Sequence, residues 1–216
     1  MSKMNVRKKD QKKSGNAKAR ASAPFGVPNI SNITRELEAL QARQEAVFST
    51  SSRVIRLAGQ MITAMHNKDY TLAKSLKRAI EKEMGNLSRV EKGFEYYSMQ
   101  AHQEYVEAIA LFTVLTSSNL PDAKSLNENS IPYLLGIMDL VGELKREAID
   151  ELRSGDEKGA SAHYEIMKGI YDSTLHMRFA NALLPNFRKK QDVARIQLES
   201  IAAELFHSYN GKVEKA

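Results

Sequence analysis

The stretch IPYLLGIMDLVGEL, residues 131–144, is interrupted by only two charges, Asp139 and Glu143. These acids are four apart, so on a helix they project from one face, about 40° from each other. Every other direction at that level carries Leu, Ile, Val, Met or Gly. A helix that is apolar on all sides belongs at the centre of a bundle, not on its surface. Pro132 suits the first turn of such a helix. Ser154-Gly155-Asp156 supplies a stop and then a fresh cap, so the expected span is about 132–153.

The segment before it repeats the arrangement. In Gln103-Glu104-Tyr105-Val106-Glu107-Ala108-Ile109-Ala110-Leu111-Phe112, Glu104 and Glu107 are three apart and share a face. That face continues one turn on as Ala108, Leu111 and Leu115, so it points inward. This helix is expected over about 94–116 and is followed by a polar loop at 122–130. Outward from the pair, apolar periodicity runs along a long first helix of about 33–67, with Ser31 or Asn32 as its cap. A second helix follows the Asp69 cap to about 89. A fifth covers about 157–179, and a last one opens near Pro185 and reaches about 209. Nothing between these segments has the alternation of a strand. The fold class is therefore all-α, helix on helix with short connections.

Composition bounds the rest. The chain has 216 residues, 42% of them hydrophobic, enough for one sizeable core. No apolar run approaches the roughly 18–20 residues that span a membrane. The basic N-terminus has no apolar segment behind it, so no secretory signal is expected. With no cysteine, disulfides, thiolate metal sites and cysteine nucleophiles are excluded. A cytoplasmic location fits this composition. The net charge of +6 is concentrated in residues 1–20, where eight Lys/Arg stand against Asp10 alone, and the remainder of the chain is close to neutral. We expect a basic tail over 1–30, a helical domain over 31–209 and a short C-terminal tail over 210–216. Such a tail either attracts nucleic acid through phosphate charge or simply stays solvated. Phe187-Arg188-Lys189-Lys190 is a second compact basic cluster. It is read either as a phosphate contact or as a solvated or intersubunit face.

Four inward acids need a remedy. Burying even one ionised carboxylate costs several kcal/mol unless it is balanced, and close acids raise one another's pKa. They can pair with basic side chains, Arg146 and Lys145 being the nearest in sequence. They can be protonated and hydrogen-bonded to each other, or they can surround a cation. For a cation the donors are all oxygen. His102 lies roughly 160° around its helix from Glu104, and no His follows either acid at the Glu-x-x-His spacing of bundle iron proteins. All-oxygen donors suit Mg²⁺, with Mn²⁺ as the alternative, better than zinc or copper.

The two acidic segments resemble the translin family. The residues that carry the resemblance are Gln103-Glu104-Tyr105-Val106-Glu107-Ala108 and the run from Tyr133-Leu134-Leu135-Gly136 through Asp139-Leu140-Val141-Gly142-Glu143-Leu144 to Arg146. The likeness covers about residues 31–209 and is to the Trax (translin-associated factor X) branch. It implies a bundle of about six to seven helices with a long first helix, assembled into a hollow, octamer-like shell. It also implies binding of RNA and single-stranded DNA. For Trax-type members it implies a Mg²⁺-dependent endoribonuclease acting on single-stranded RNA inside the shell, with Glu104, Glu107, Asp139 and Glu143 as catalytic, metal-holding acids. Arg146 matches a family arginine and is expected, with Arg188, Lys189 and Lys190, to contact nucleic acid. The compact loop at 117–130 resembles archaeal members, which assemble from one kind of subunit; a separate translin-type partner is the alternative. The competing reading is a non-catalytic shell that binds RNA or single-stranded DNA and keeps the acids as buried ion pairs.

Overall fold

A computed structural model describes residues 30–117 and 119–213, with side chains as far as Tyr209. The basic tail expected over 1–30, Ile30 apart, and the end of the C-terminal tail lie outside the described residues. The described residues form six α-helices and no strand: α1 Ser31–His66, α2 Tyr70–Val90, α3 Glu95–Ser117, α4 Ser130–Ser154, α5 Glu157–Thr174 and α6 Phe187–Val213. None of them is long and apolar enough to cross a membrane. The chain divides into two units at residues 38 and 39. In the first, the described residues are the opening turns of α1, where the Ile30 carbonyl accepts from the Thr34 N–H at 2.9 Å and Ile33 and Leu37 are exposed.

The second unit, from residue 39 on, holds the core. Here α4 packs against α3, α5 and α6, while α5 also meets α6 and α2 meets α3. The apolar run therefore takes the central place its composition requires. Leu135, Ile137, Met138, Leu140, Val141 and Leu144 are all buried, and full burial of such a side chain contributes about 1.5–3 kcal/mol relative to exposure. Along α1, Val47, Val54, Ala58, Met61 and Met65 form the inward stripe at helical spacing.

Local chemistry sets the boundaries. The Asp69 carboxylate accepts from the Leu72 N–H at 2.9 Å and Asp156 accepts from the Gly159 N–H at 2.9 Å, capping α2 and α5; a cap of this kind contributes about 1 kcal/mol. Gly155 ends α4 at φ +84°, a conformation that favours glycine. One boundary departs from expectation. α5 stops at Thr174, not near Phe179, because the buried Gln191 amide of α6 donates to the Thr174 carbonyl at 2.6 Å. The apolar residues beyond, Leu175 and Phe179, are exposed.

Candidate metal and nucleic-acid site

α3 and α4 approach closely at Gly136. A Cβ there would stand 2.6 Å from the Gln103 carbonyl oxygen and 2.8 Å from the Val106 Cβ, so only glycine permits this approach. The contact brings the Glu104–Glu107 turn of α3 beside the Asp139–Glu143 turn of α4. Gln103 marks the junction, its amide donating to Asp139 Oδ2 at 2.5 Å.

The four acids feel one another. Glu107 is only 8% exposed. Its carboxyl is pushed up to about 8, first by burial and then by the negative fields of Asp139, Glu104 and Glu143, with Lys190 acting against the shift. Glu104 is also raised, again chiefly by burial, with Asp139 and Glu143 adding to it and a Gln100 hydrogen bond opposing. No hydrogen bond or ion pair reaches Glu107 from the described residues. The other two acids are paired: Lys190 of α6 donates to Asp139, and His66 of α1 meets Glu143 at 2.5 Å.

His66 corrects the expectation that no histidine stands near the acids. It is the last residue of α1, distant in sequence, and the packing of α1 delivers it to the acidic face of α4. Its Nδ1 lies 2.6 Å from Glu147 Oε1. Both ring nitrogens face carboxylate oxygens, which only accept, so both must carry hydrogens and the ring is an imidazolium. The bonds from Glu143 and Glu147 raise its pKa to about 9 against burial and the Arg146 charge. Glu147 is a third acid on the same α4 face, 0% exposed. Burial alone would raise its pKa, but hydrogen bonds from His66 and Lys68 outweigh it and hold the carboxyl low. Lys68, in the left-handed region at φ 60°, donates to its second oxygen. Sequence reading passed over Glu147 because Lys145 and Arg146 precede it and make that turn look solvated.

The pairing roles expected of Arg146 and Lys145 are filled instead by Lys190 and His66. Arg146 is exposed and forms no ion pair among the described residues. Lys189 and Lys190 line a cleft of about 330 Å³ together with Met138, Asp139, Gly142 and Asn186. The basic cluster at the start of α6 thus meets the acids at Asp139, while Arg188 is exposed on the same turn. His102 does face away, with Nε2 2.8 Å from Glu91 and Nδ1 2.8 Å from Glu128.

Carboxylate oxygens in this number are the donors that hard divalent cations take. Among the described residues, no three His, Asp or Glu side chains are already gathered as a ligand set. Glu107 is uncommitted, whereas Asp139 and Glu143 are engaged by Lys190 and His66.

Together these features define a helical bundle with an apolar core and, where α3 meets α4, a group of partly buried carboxylates beside a basic helix start. The chain belongs to the translin family, whose model matches residues 28–206. It is 24% identical over 169 residues to an uncharacterized protein of Methanocaldococcus jannaschii, MJ0175, covering 75% of this chain and 74% of that one. Among solved structures, AfC3PO bound to duplex RNA is similar at a TM-score of 0.79 and 25% identity, over 85% of this chain and 98% of that one. Apo-NeC3PO shares the fold at a TM-score of 0.78 and 24% identity, over 84% and 98% of the two chains.

Proposed function

We propose that the chain is a Trax-like, metal-dependent endoribonuclease of single-stranded RNA, acting within a homo-oligomeric shell of the archaeal type. The observation that carries this reading is Glu107. A buried carboxylate with no hydrogen bond, set among three other acids, is costly as it stands and becomes favourable beside a cation. Glu104, Glu107, Asp139 and Glu143 would hold Mg²⁺ or Mn²⁺; such an ion lowers the pKa of bound water and stabilises the leaving oxygen in phosphodiester hydrolysis. The protein's own part is positional. The Gly136 contact sets the spacing of the two acid pairs, and Lys189, Lys190, Arg188 and Arg146 supply positive charge for the flanking phosphates. One of the acids can also take a proton from the attacking water. The likeness to AfC3PO, which has been seen with duplex RNA, supports an RNA substrate and assembly into a C3PO-like oligomer.

The test is cleavage of a labelled single-stranded RNA with Mg²⁺ or Mn²⁺, against the same reaction with EDTA. Glu107→Gln and Asp139→Asn should each abolish cleavage while leaving the helical circular dichroism unchanged. Cleavage that persists in both variants, or in EDTA, overturns the proposal. The second reading, a non-catalytic shell binding RNA or single-stranded DNA, draws on the two ion pairs that already engage Asp139 and Glu143. It expects RNA binding with no divalent-dependent cleavage.

A further inference from the structure

His66 and Lys190 each place a cation on one acid of the cluster, and the protein holds the two differently. Lys190 reaches Asp139 from the start of α6, at the end of a long side chain that is 20% exposed. It has other rotamers and solvent to move into. The His66 ring is 2% exposed. Its Nε2 donates to Glu143 Oε2 and its Nδ1 to Glu147 Oε1. The ring cannot turn toward a new partner without breaking both bonds.

The ring is also fixed from behind. Met61, Ala64 and Met65 anchor the last turns of α1 in the core. Past the ring the chain closes on itself: the Lys68 N–H donates to the Met65 carbonyl at 2.8 Å and the Asp69 N–H to the Ala64 carbonyl at 2.9 Å. That turn delivers the Lys68 ammonium to Glu147 Oε2, so both oxygens of this fully buried acid are engaged. Lys68, Glu147, His66 and Glu143 thus form a row of alternating charge that ends on one oxygen of Glu143. Such a row is a weak source of stability, since apolar side chains of similar volume often serve as well. What it supplies is direction. A carboxylate bonded through one oxygen has lost its freedom to turn, and a binding group has to be held within about 0.5 Å of its working position. Loss of a supporting partner of this kind weakens metal uptake about 10–100-fold.

We infer that His66 is a positioning residue: it orients Glu143 so that one defined oxygen is offered to a divalent cation, while Glu147 and Lys68 hold the ring that does so. The inference rests on the metal reading above. It adds three residues to that reading, all of which act through Glu143. It also separates the two counterions of the cluster. Lys190 competes with a cation for Asp139, whereas His66 shares Glu143 with it.

The experiment is calorimetric titration of Mn²⁺ into the full chain at about pH 8.5, where Glu107 is mostly ionised and its proton no longer competes. His66→Leu and His66→Gln remove the same positive charge, but the glutamine amide can still donate to Glu143. Their difference therefore reports orientation and not charge. His66→Leu should bind Mn²⁺ about tenfold or more weaker than the parent, and His66→Gln should recover a measurable part of that loss. The circular dichroism of both should match the parent. If His66→Leu does not fold with Glu147 left charged, the same two substitutions are compared in Glu147→Gln, where the same order is expected. Equal affinity in the two variants, or tighter binding than the parent in both, overturns the positioning role and leaves the metal reading standing. No Mn²⁺ uptake by the parent overturns both. The expected losses in a chain that cleaves no RNA keep the positioning role and remove the nuclease reading instead.

Discussion

Glu107 and Glu147 are both buried carboxylates in the same helical core, and the protein treats them in opposite ways. Both oxygens of Glu147 are engaged, by His66 and by Lys68, and its pKa is held low. Glu107 has no such partner among the described residues, three acids crowd it, and its pKa is pushed up to about 8. Both are buried, the paired one completely, so burial alone does not distinguish a structural acid from a reactive one. Compensation does. A buried charge with its counterions in place has become part of the scaffold, whereas one without them is an open valence for a proton or a cation.

The largest expected effect comes from breaking the compensated side. Glu147→Gln keeps the volume but leaves the His66 imidazolium, itself almost wholly buried, with one carboxylate in place of two. Removing one partner of a buried pair costs about 3–5 kcal/mol; proton loss from His66 limits this, and we expect about 3 kcal/mol. Equilibrium urea unfolding at neutral pH measures it. A loss below about 1 kcal/mol would show that Glu147 is no more a part of the scaffold than a surface acid.

The uncompensated side gives the next effect, with the opposite sign. Glu107 has a folded pKa of about 8 against an ordinary value of 4.5. Below pH 4.5 it is protonated in both states and costs nothing. Between 4.5 and 8 the unfolded chain releases a proton that the folded chain keeps, so stability falls as pH rises, by about 3 kcal/mol at pH 7. His66 titrates later. Its folded pKa of about 9 is raised above 6.5, so its contribution is complete below 6.5 and is lost as pH rises through 9. Metal-free unfolding compared at pH 5 and pH 6.5 therefore isolates the acid cluster. Glu107→Gln should remove most of the decline in that window and its continuation up to about pH 8, leaving above 6.5 only the decline that His66 carries through about 9. If the variant declines as steeply as the parent below 6.5, Glu107 is not the uncompensated group.

This contrast also explains what could be read from the chain. The central place of α4, the Asp69 and Asp156 caps and the Gly155 stop were legible because each depends on residues within a turn or two. Glu104, Glu107, Asp139 and Glu143 stood out because charge interrupts an apolar run. Their partners did not. His66 lies 77 residues from Glu143 and Lys190 lies 51 from Asp139, and no spacing rule links such pairs. Arg146 and Lys145, close in sequence to Asp139 and Glu143, seemed the natural counterions, but among the described residues neither forms an ion pair with them. The early end of α5 was hidden for the same reason, since the amide that donates to the Thr174 carbonyl comes from α6.

The smallest effect tests whether the comparison is fixed or adjustable. Lys190 gives Asp139 the kind of partner that Glu107 lacks, and it opposes the rise in the Glu107 pKa. Lys190→Gln should thus move Asp139 into the uncompensated class. Two consequences oppose each other. Asp139 is freed for a divalent ion, which favours metal uptake; but Glu107 holds its proton more tightly, which disfavours uptake because ligands must lose their protons to bind. The proton penalty vanishes once pH is well above 8, so the gain should appear there in full, as about tenfold tighter Mn²⁺ binding, or about 1.4 kcal/mol. Near pH 6 it should shrink or reverse. Calorimetric titration with Mn²⁺ at both pH values separates the two terms. A gain that is the same at both would mean that Lys190 acts on Asp139 alone and that the four acids are not one electrostatic unit.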